Sequence, residues 1–169
     1  MGEGGAKVLI LMGSDSDLEV MKEARDTLSA LGISSKMTVA SAHRTPERTR
    51  RLIREAEEQG ASVIIAGAGM AAHLAGFVAA HTVLPVIGVP MDSGPLRGVD
   101  ALLSTVQMPP GVPVATVSIG KAGARNAAIL AAQILAVSDP QMRERLETMR
   151  KKASQEIEAK AKELEERER

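Results

Sequence analysis

The chain has 169 residues, with three histidines and no cysteine, tyrosine or tryptophan. Imidazole is therefore the side chain best suited to moving a proton near neutral pH. His43 stands in the run Ser41-Ala42-His43-Arg44-Thr45-Pro46, where Thr45 and Pro46 read as the N-cap and first position of a helix. The positive end of that helix dipole and the Arg44 guanidinium both disfavour a charged ring. Neutral imidazole is then available for proton transfer. Arg44 suits pairing with a phosphate. The bland alternative for His43 is a loop histidine bonded to backbone. A second run, Gly13-Ser14-Asp15-Ser16-Asp17, offers an anion backbone N–H groups at a helix start and the hydroxyls of Ser14 and Ser16. The carboxylates of Asp15 and Asp17 repel phosphate and would instead accept hydrogen bonds from sugar hydroxyls. The competing reading is that these residues only cap the helix. A third run, AGAGMAAHLAG over 66–76, has glycines that permit close approach of backbone to a small ligand. His73 reads as structural, inside the helix that follows, and His81 as an exposed turn histidine.

Other chemistries fall away. Without cysteine there is no disulfide, thiolate metal site or thiol nucleophile. No pair of histidines has usual ligand spacing, so no metal site is expected. Gly120-Lys121 lacks the upstream glycine and the following Ser/Thr of a Walker loop. A phospho-receiver would need an Asp at the end of the third strand, where this chain has Ala66-Gly67-Ala68-Gly69. A DxD phosphatase would carry its nucleophile on the strand end, and here Gly13-Ser14 intervene.

Alternating elements must position these loops. Lys7–Met12, Ile33–Ala40, Ser62–Ala66, Pro85–Val89 and Val114–Ile119 read as strands. Between them come a helix to about Leu31 with a Ser16/Glu19 capping box, a helix from Pro46 to about Gln59, and a small-residue helix to about Ala80 after a Gly67–Ala71 turn. A short helix over Val99–Val106 and another over Ala122–Val137 complete the body. The predicted fold is α/β, a three-layer αβα flavodoxin-like arrangement with a doubly wound, parallel five-stranded sheet and an extra C-terminal helix. Such sheets bind ligands at the carboxyl ends of their strands, where the three runs fall. Residues 1–138 read as the catalytic domain. Residues 139–169 read as an amphipathic helix of the same domain or one packed on a neighbouring subunit. Its apolar stripe is Met142, Leu146, Met149, Ala153, Ile157 and Leu164, and Glu163–Arg169 are expected to fray.

Composition bounds the partners. The 21 basic and 21 acidic residues cancel, and Phe77 is the one aromatic, so nucleic acid is not an expected partner. No apolar run spans a membrane, and Met1–Gly5 does not read as a signal peptide. Residues 139–169 hold nine basic and nine acidic side chains, leaving twelve of each for the rest of the chain. A body so poor in charge, with 26 Ala and 15 Gly in the whole chain, points to self-association.

Together GSDSD, SAHRTP, AGAGMAAHLAG, PVIGVP, VQMPPGVPVATVSIGKAGA and NAAILAAQIL resemble the PurE family, the carboxyaminoimidazole ribonucleotide mutases of purine biosynthesis. The resemblance covers about residues 7–150. SAHRTP and the glycine-rich run are similar to the mutase class rather than the animal-type carboxylases. Departures are Met70 and Ala75, where the family usually has Gly and Pro, and Leu18, where an aromatic often stands. The resemblance implies a cytoplasmic homo-octamer acting on a small ribonucleotide without cofactor or metal. It implies His43 as general acid/base, with Ser14, Asp17, Ser41, Arg44, Gly69, Ala72, His73 and Leu74 at the substrate. Two other functions stay open: a carboxylase using free CO2, and a nucleotide-binding regulator without catalysis.

Overall fold

The structure, a computed structural model, describes residues 5–168. Of the Met1–Gly5 stretch only Gly5 is therefore included. The five strands are β1 (Val8–Met12), β2 (Ser35–Val39), β3 (Val63–Ala68), β4 (Val86–Pro90) and β5 (Ala115–Thr116). All pairings are parallel, in the order β2-β1-β3-β4-β5. The helices are α1 (Leu18–Ala30), α2 (Pro46–Glu58), α3 (Leu74–Ala79), α4 (Val99–Val106), α5 (Gly120–Leu135) and α6 (Pro140–Arg167). This is the doubly wound, flavodoxin-like fold expected from the alternation of elements.

The pleat of β1 divides the core. Val8, Ile10 and Met12 face the side covered by α1 and α5, and Leu9 and Leu11 face the side covered by α2, α3 and α4. Both sets are shut off from water, which is why the strand reads as a continuous apolar run rather than an alternating one. Helix α5 meets the sheet and α1 through Ala124, Ala127, Ala128, Ala131 and Ala132, all fully buried. A face without long side chains lets that helix lie close to Met21, Ala24 and Leu28 of α1. Gly88 does the same on the other face, since a Cβ there would overlap the Thr105 methyl of α4.

Several boundaries differ from those predicted. β3 runs on through Gly67 and Ala68, because these residues pair with Val89 and Pro90 of β4. The turn expected there starts at Gly69 instead. β5 is two residues long rather than six; it is an edge strand that follows three prolines. β2 shortens to Ser35–Val39 at the other edge, and α5 starts at Gly120 and ends at Leu135. The capping box lies on Ser14 and Asp17, around a 3-10 turn at Asp15–Asp17, not on Ser16 and Glu19. The spacing is the same, but the chain turns two residues sooner.

Helix α6 begins as predicted, with the Asp139 carboxylate accepting from the Gln141 and Met142 N–H groups at 2.9 and 3.1 Å. Met142 and Leu146 join the core, and Arg145 donates to the Leu31 carbonyl at 2.9 Å. Beyond Met149 the stripe has no cover: Ile157 and Leu164 are exposed. The helix continues to Arg167, which pairs with Glu163 one turn back; of the stretch Glu163–Arg169 expected to fray, Arg169 lies outside the described residues. Among the described residues, no helix is long and apolar enough to cross a membrane.

Candidate active site

The loops after β1, β2 and β3 meet at the carboxyl ends of their strands around a cleft of about 530 Å³. Eight of the nine predicted site residues line it: Ser14, Asp17, Ser41, His43, Arg44, Gly69, His73 and Leu74. The ninth, Ala72, does not; it is buried in the core on the α2–α3 side of the sheet. A larger groove, about 980 Å³, runs between α1 and α6. It lies along helix flanks and mixes Glu23, Asp26, Arg125 and Arg145 with no histidine, so the chemistry points to the smaller cleft.

The β1 loop is held by its own hydrogen bonds. The Ser14 N–H donates to Asp17 Oδ2 at 3.2 Å, and Ser14 Oγ accepts from the Ser16 N–H at 3.4 Å and donates to Asp15 Oδ1 at 3.0 Å. Asp17 is 7% exposed although it lines the cleft. Burial pushes its carboxyl above the usual Asp value, and the negative charge of Asp15 adds to that. The Ser14 N–H and the Ser16 hydroxyl pull the other way.

The β2 loop is closed by Thr45. The predicted role of Thr45 was to cap α2, and it does occupy the N-cap, but its hydroxyl makes no cap bond. Thr45 Oγ1 instead accepts from the Ser41 N–H and donates to the Ser41 carbonyl, both at 3.1 Å. Ser41 Oγ in turn accepts from the Arg44 backbone N–H at 3.2 Å and from its Nε at 3.4 Å. Arg44 Nη2 then reaches across to the Gly13 carbonyl at 3.3 Å, tying the β2 loop to the β1 loop. The Arg44 side chain is thus pre-set beside Ser14, with N–H groups still free to meet an anion.

His43 projects from the middle of this clamped loop and is exposed. Its ring lies 4.9 Å from that of His73, tilted by 37°. His73 is at the N-cap of α3, not inside the helix as predicted. Small residues, Gly13, Ala42, Ala68, Gly69 and Ala71, make up much of the cleft lining. A Cβ on Gly69 would overlap the Ser93 hydroxyl and crowd Met91, so glycine there lets the β3 and β4 loops approach without displacing Ser93. Met70 follows in the left-handed region, with φ +56° and 58% exposure, at the edge of the cleft. Ser16, whose hydroxyl the sequence offered to an anion, also lines the cleft, and so does Ser93, which was not among the predicted residues. Ser93 lies at a carboxyl strand end like the rest, in the loop after β4, but a lone serine between Asp92 and Gly94 carries no signal of its own.

An imidazole, a guanidinium and a buried carboxylate thus surround a cleft lined largely by small residues. Comparison with known proteins assigns the arrangement to a family. The sequence profile of the AIR carboxylase family matches residues 7–156. The chain belongs to that family. Relatives within it include the N5-carboxyaminoimidazole ribonucleotide mutase of Pyrococcus horikoshii, 55% identical over 93% of this chain and 88% of that one. The Escherichia coli K12 protein of the same name is 52% identical over 90% of each chain. Among solved structures, Treponema denticola PurE superposes with a TM-score of 0.85 at 30% identity, over 93% of this chain and 97% of the other. The family match spans every element that reaches the cleft, from β1 to the loop after β4.

Proposed function

We propose that this chain is an N5-carboxyaminoimidazole ribonucleotide mutase of purine biosynthesis. The observation that carries the reading is the cleft itself: an exposed imidazole in a cleft lined largely by small residues, with a pre-set guanidinium and a buried carboxylate. The names of relatives more than half identical over most of the chain support it.

The reaction moves a carboxylate from the exocyclic nitrogen to ring carbon C4. As the N–CO2 bond breaks, His43 protonates the nitrogen that the CO2 leaves behind. C4 of the aminoimidazole then attacks the CO2, and neutral His43 takes the C4 proton. One proton leaves and one returns, so the ring ends as it began and no second base is needed. Ser14 and Arg44 serve the phosphate, Arg44 in the orientation that Ser41 and Gly13 hold for it. Asp17 accepts from the ribose hydroxyls. Gly69, Leu74 and His73 border the base and the CO2, where a dry wall of small residues keeps a neutral gas from escape.

We take residues 1–138 as the catalytic body and the helix beyond as its appendage. The enzyme is expected to be cytoplasmic and to assemble as an octamer. Exposed Leu96, Val99, Leu103 and Val106 support self-association, since they form an apolar strip along α4 and the loop before it.

The test is turnover of N5-carboxyaminoimidazole ribonucleotide, run beside aminoimidazole ribonucleotide with bicarbonate. Conversion of the first substrate is expected. Conversion of the second alone would make the protein a carboxylase, and neither would leave a nucleotide-binding protein. His43→Asn should lose turnover by about 10²–10⁴-fold while still binding the ribonucleotide. Near-normal turnover in that variant would remove His43 from the chemistry.

A further inference from the structure

The four rings of this chain, three imidazoles and one phenyl, form a single row. It starts at His43 in the cleft. His73 follows at 4.9 Å, then Phe77 at 6.0 Å edge-on, then His81 at 4.4 Å, nearly stacked. The far end is fastened. His81 Nδ1 lies 2.7 Å from the Phe77 carbonyl, and Arg50 Nε donates to His81 Nε2 at 3.0 Å. A nitrogen that accepts from arginine carries no proton, so the other nitrogen carries it and donates to the carbonyl. The Arg50 guanidinium also lies 5.5 Å from the centre of the phenyl ring and pairs with Glu47.

The near end has no such anchors. Among the described residues, no group hydrogen-bonds either nitrogen of His43 or of His73. Both rings are exposed. What packs against them is the row itself: His43 on His73, and His73 on the Phe77 ring. Edge-to-face pairs of this kind stabilise beyond the area they bury, and so favour one rotamer of a solvent-facing imidazole over its neighbours.

We propose that Phe77, braced by Arg50 and His81, is a positioning residue that holds His73, and through it His43, at the angle proton transfer requires. Phe77 does not line the cleft and touches no reacting atom. The inference rests on the mutase reading for its kinetic readout but not for its structural one.

The test compares the full-length protein with Phe77→Leu, Phe77→Tyr and Arg50→Met. Phe77→Leu keeps apolar bulk and removes the ring. Its turnover should fall by about tenfold with KM within about twofold, since a small misalignment of a reacting group costs rate rather than binding. Phe77→Tyr should restore the parent rate, and Arg50→Met should fall between them. A Phe77→Leu enzyme at full rate overturns the proposal. So does a loss of rate that Phe77→Tyr fails to rescue, or one matched by an equal rise in KM. If Phe77→Leu does not fold, Arg50→Met decides alone: an unchanged rate refutes the brace.

Proton NMR of the three imidazoles separates this from the mutase reading. Phe77→Leu should move the His43 resonances as well as those of His73, and Phe77→Tyr should not. If the parent has no mutase turnover, the function is wrong and these spectra still decide the brace: an unmoved His43 signal refutes it.

Discussion

Asp17, the proposed ribose ligand, illustrates how a site residue works against the fold that holds it. Its carboxyl is buried and titrates above its ordinary value, so the folded chain holds that proton more tightly than the unfolded chain does. The stabilisation from this proton is complete below the ordinary Asp value and is lost as pH rises through the raised one. At neutral pH the buried anion is a net cost. Asp17→Asn keeps an acceptor for the Ser14 N–H and removes the charge. The variant should unfold at higher temperature than the parent at pH 7, with the difference shrinking as pH falls below the carboxylate range. Its KM for the ribonucleotide should rise. A variant less stable than the parent at pH 7 would show that the two serine bonds outweigh desolvation. The place of Asp17 at the cleft was legible in the GSDSD run, but its burial was not. Nothing in five small polar residues tells which carboxylate turns inward until β1, α1 and the 3-10 turn are assembled.

At the scale of elements, the β2 loop shows a signal read correctly for the wrong reason. Thr45-Pro46 does mark the start of α2, but the hydroxyl turns back to Ser41 and closes the loop that carries His43. Thr45→Val, which keeps the shape, should lower stability by about 1 kcal/mol in urea unfolding, the usual net value of such bonds. Turnover should fall by more than that loss of folded protein explains, because the loop then holds Ser41 and Arg44 less firmly. An unchanged rate would mean that Pro46 alone fixes the loop. The same limit governs the strands. Their presence and the loops at their ends followed from apolar runs alternating with helical patterns, and those loops did converge. The lengths did not follow. Gly67 and Ala68 are poor strand formers by themselves, and only the partner strand β4 draws them into the sheet. His73, one residue outside α3, shows the same dependence on neighbours.

For the whole molecule the division of charge matters most. The body has few charges, and α4 presents Val99, Leu103 and Val106 to solvent at about half exposure each. These residues recur at three and four positions, the spacing of one helix face. Leu103→Glu should break the assembly into smaller species in sedimentation velocity while leaving the far-ultraviolet dichroism unchanged. A parent that sediments as a monomer would refute self-association outright. The tail adds a second exposed stripe, but the nine basic and nine acidic side chains of residues 139–169 cancel at a distance.

The row of rings has an optical consequence. With no tryptophan or tyrosine, this protein is dark to near-ultraviolet excitation of the usual fluorophores. A tryptophan at position 77 would be its sole emitter, set between His73 and His81. Imidazolium quenches indole more than imidazole does. The light from that one residue would thus follow the charge on its neighbours, against no background from the rest of the chain.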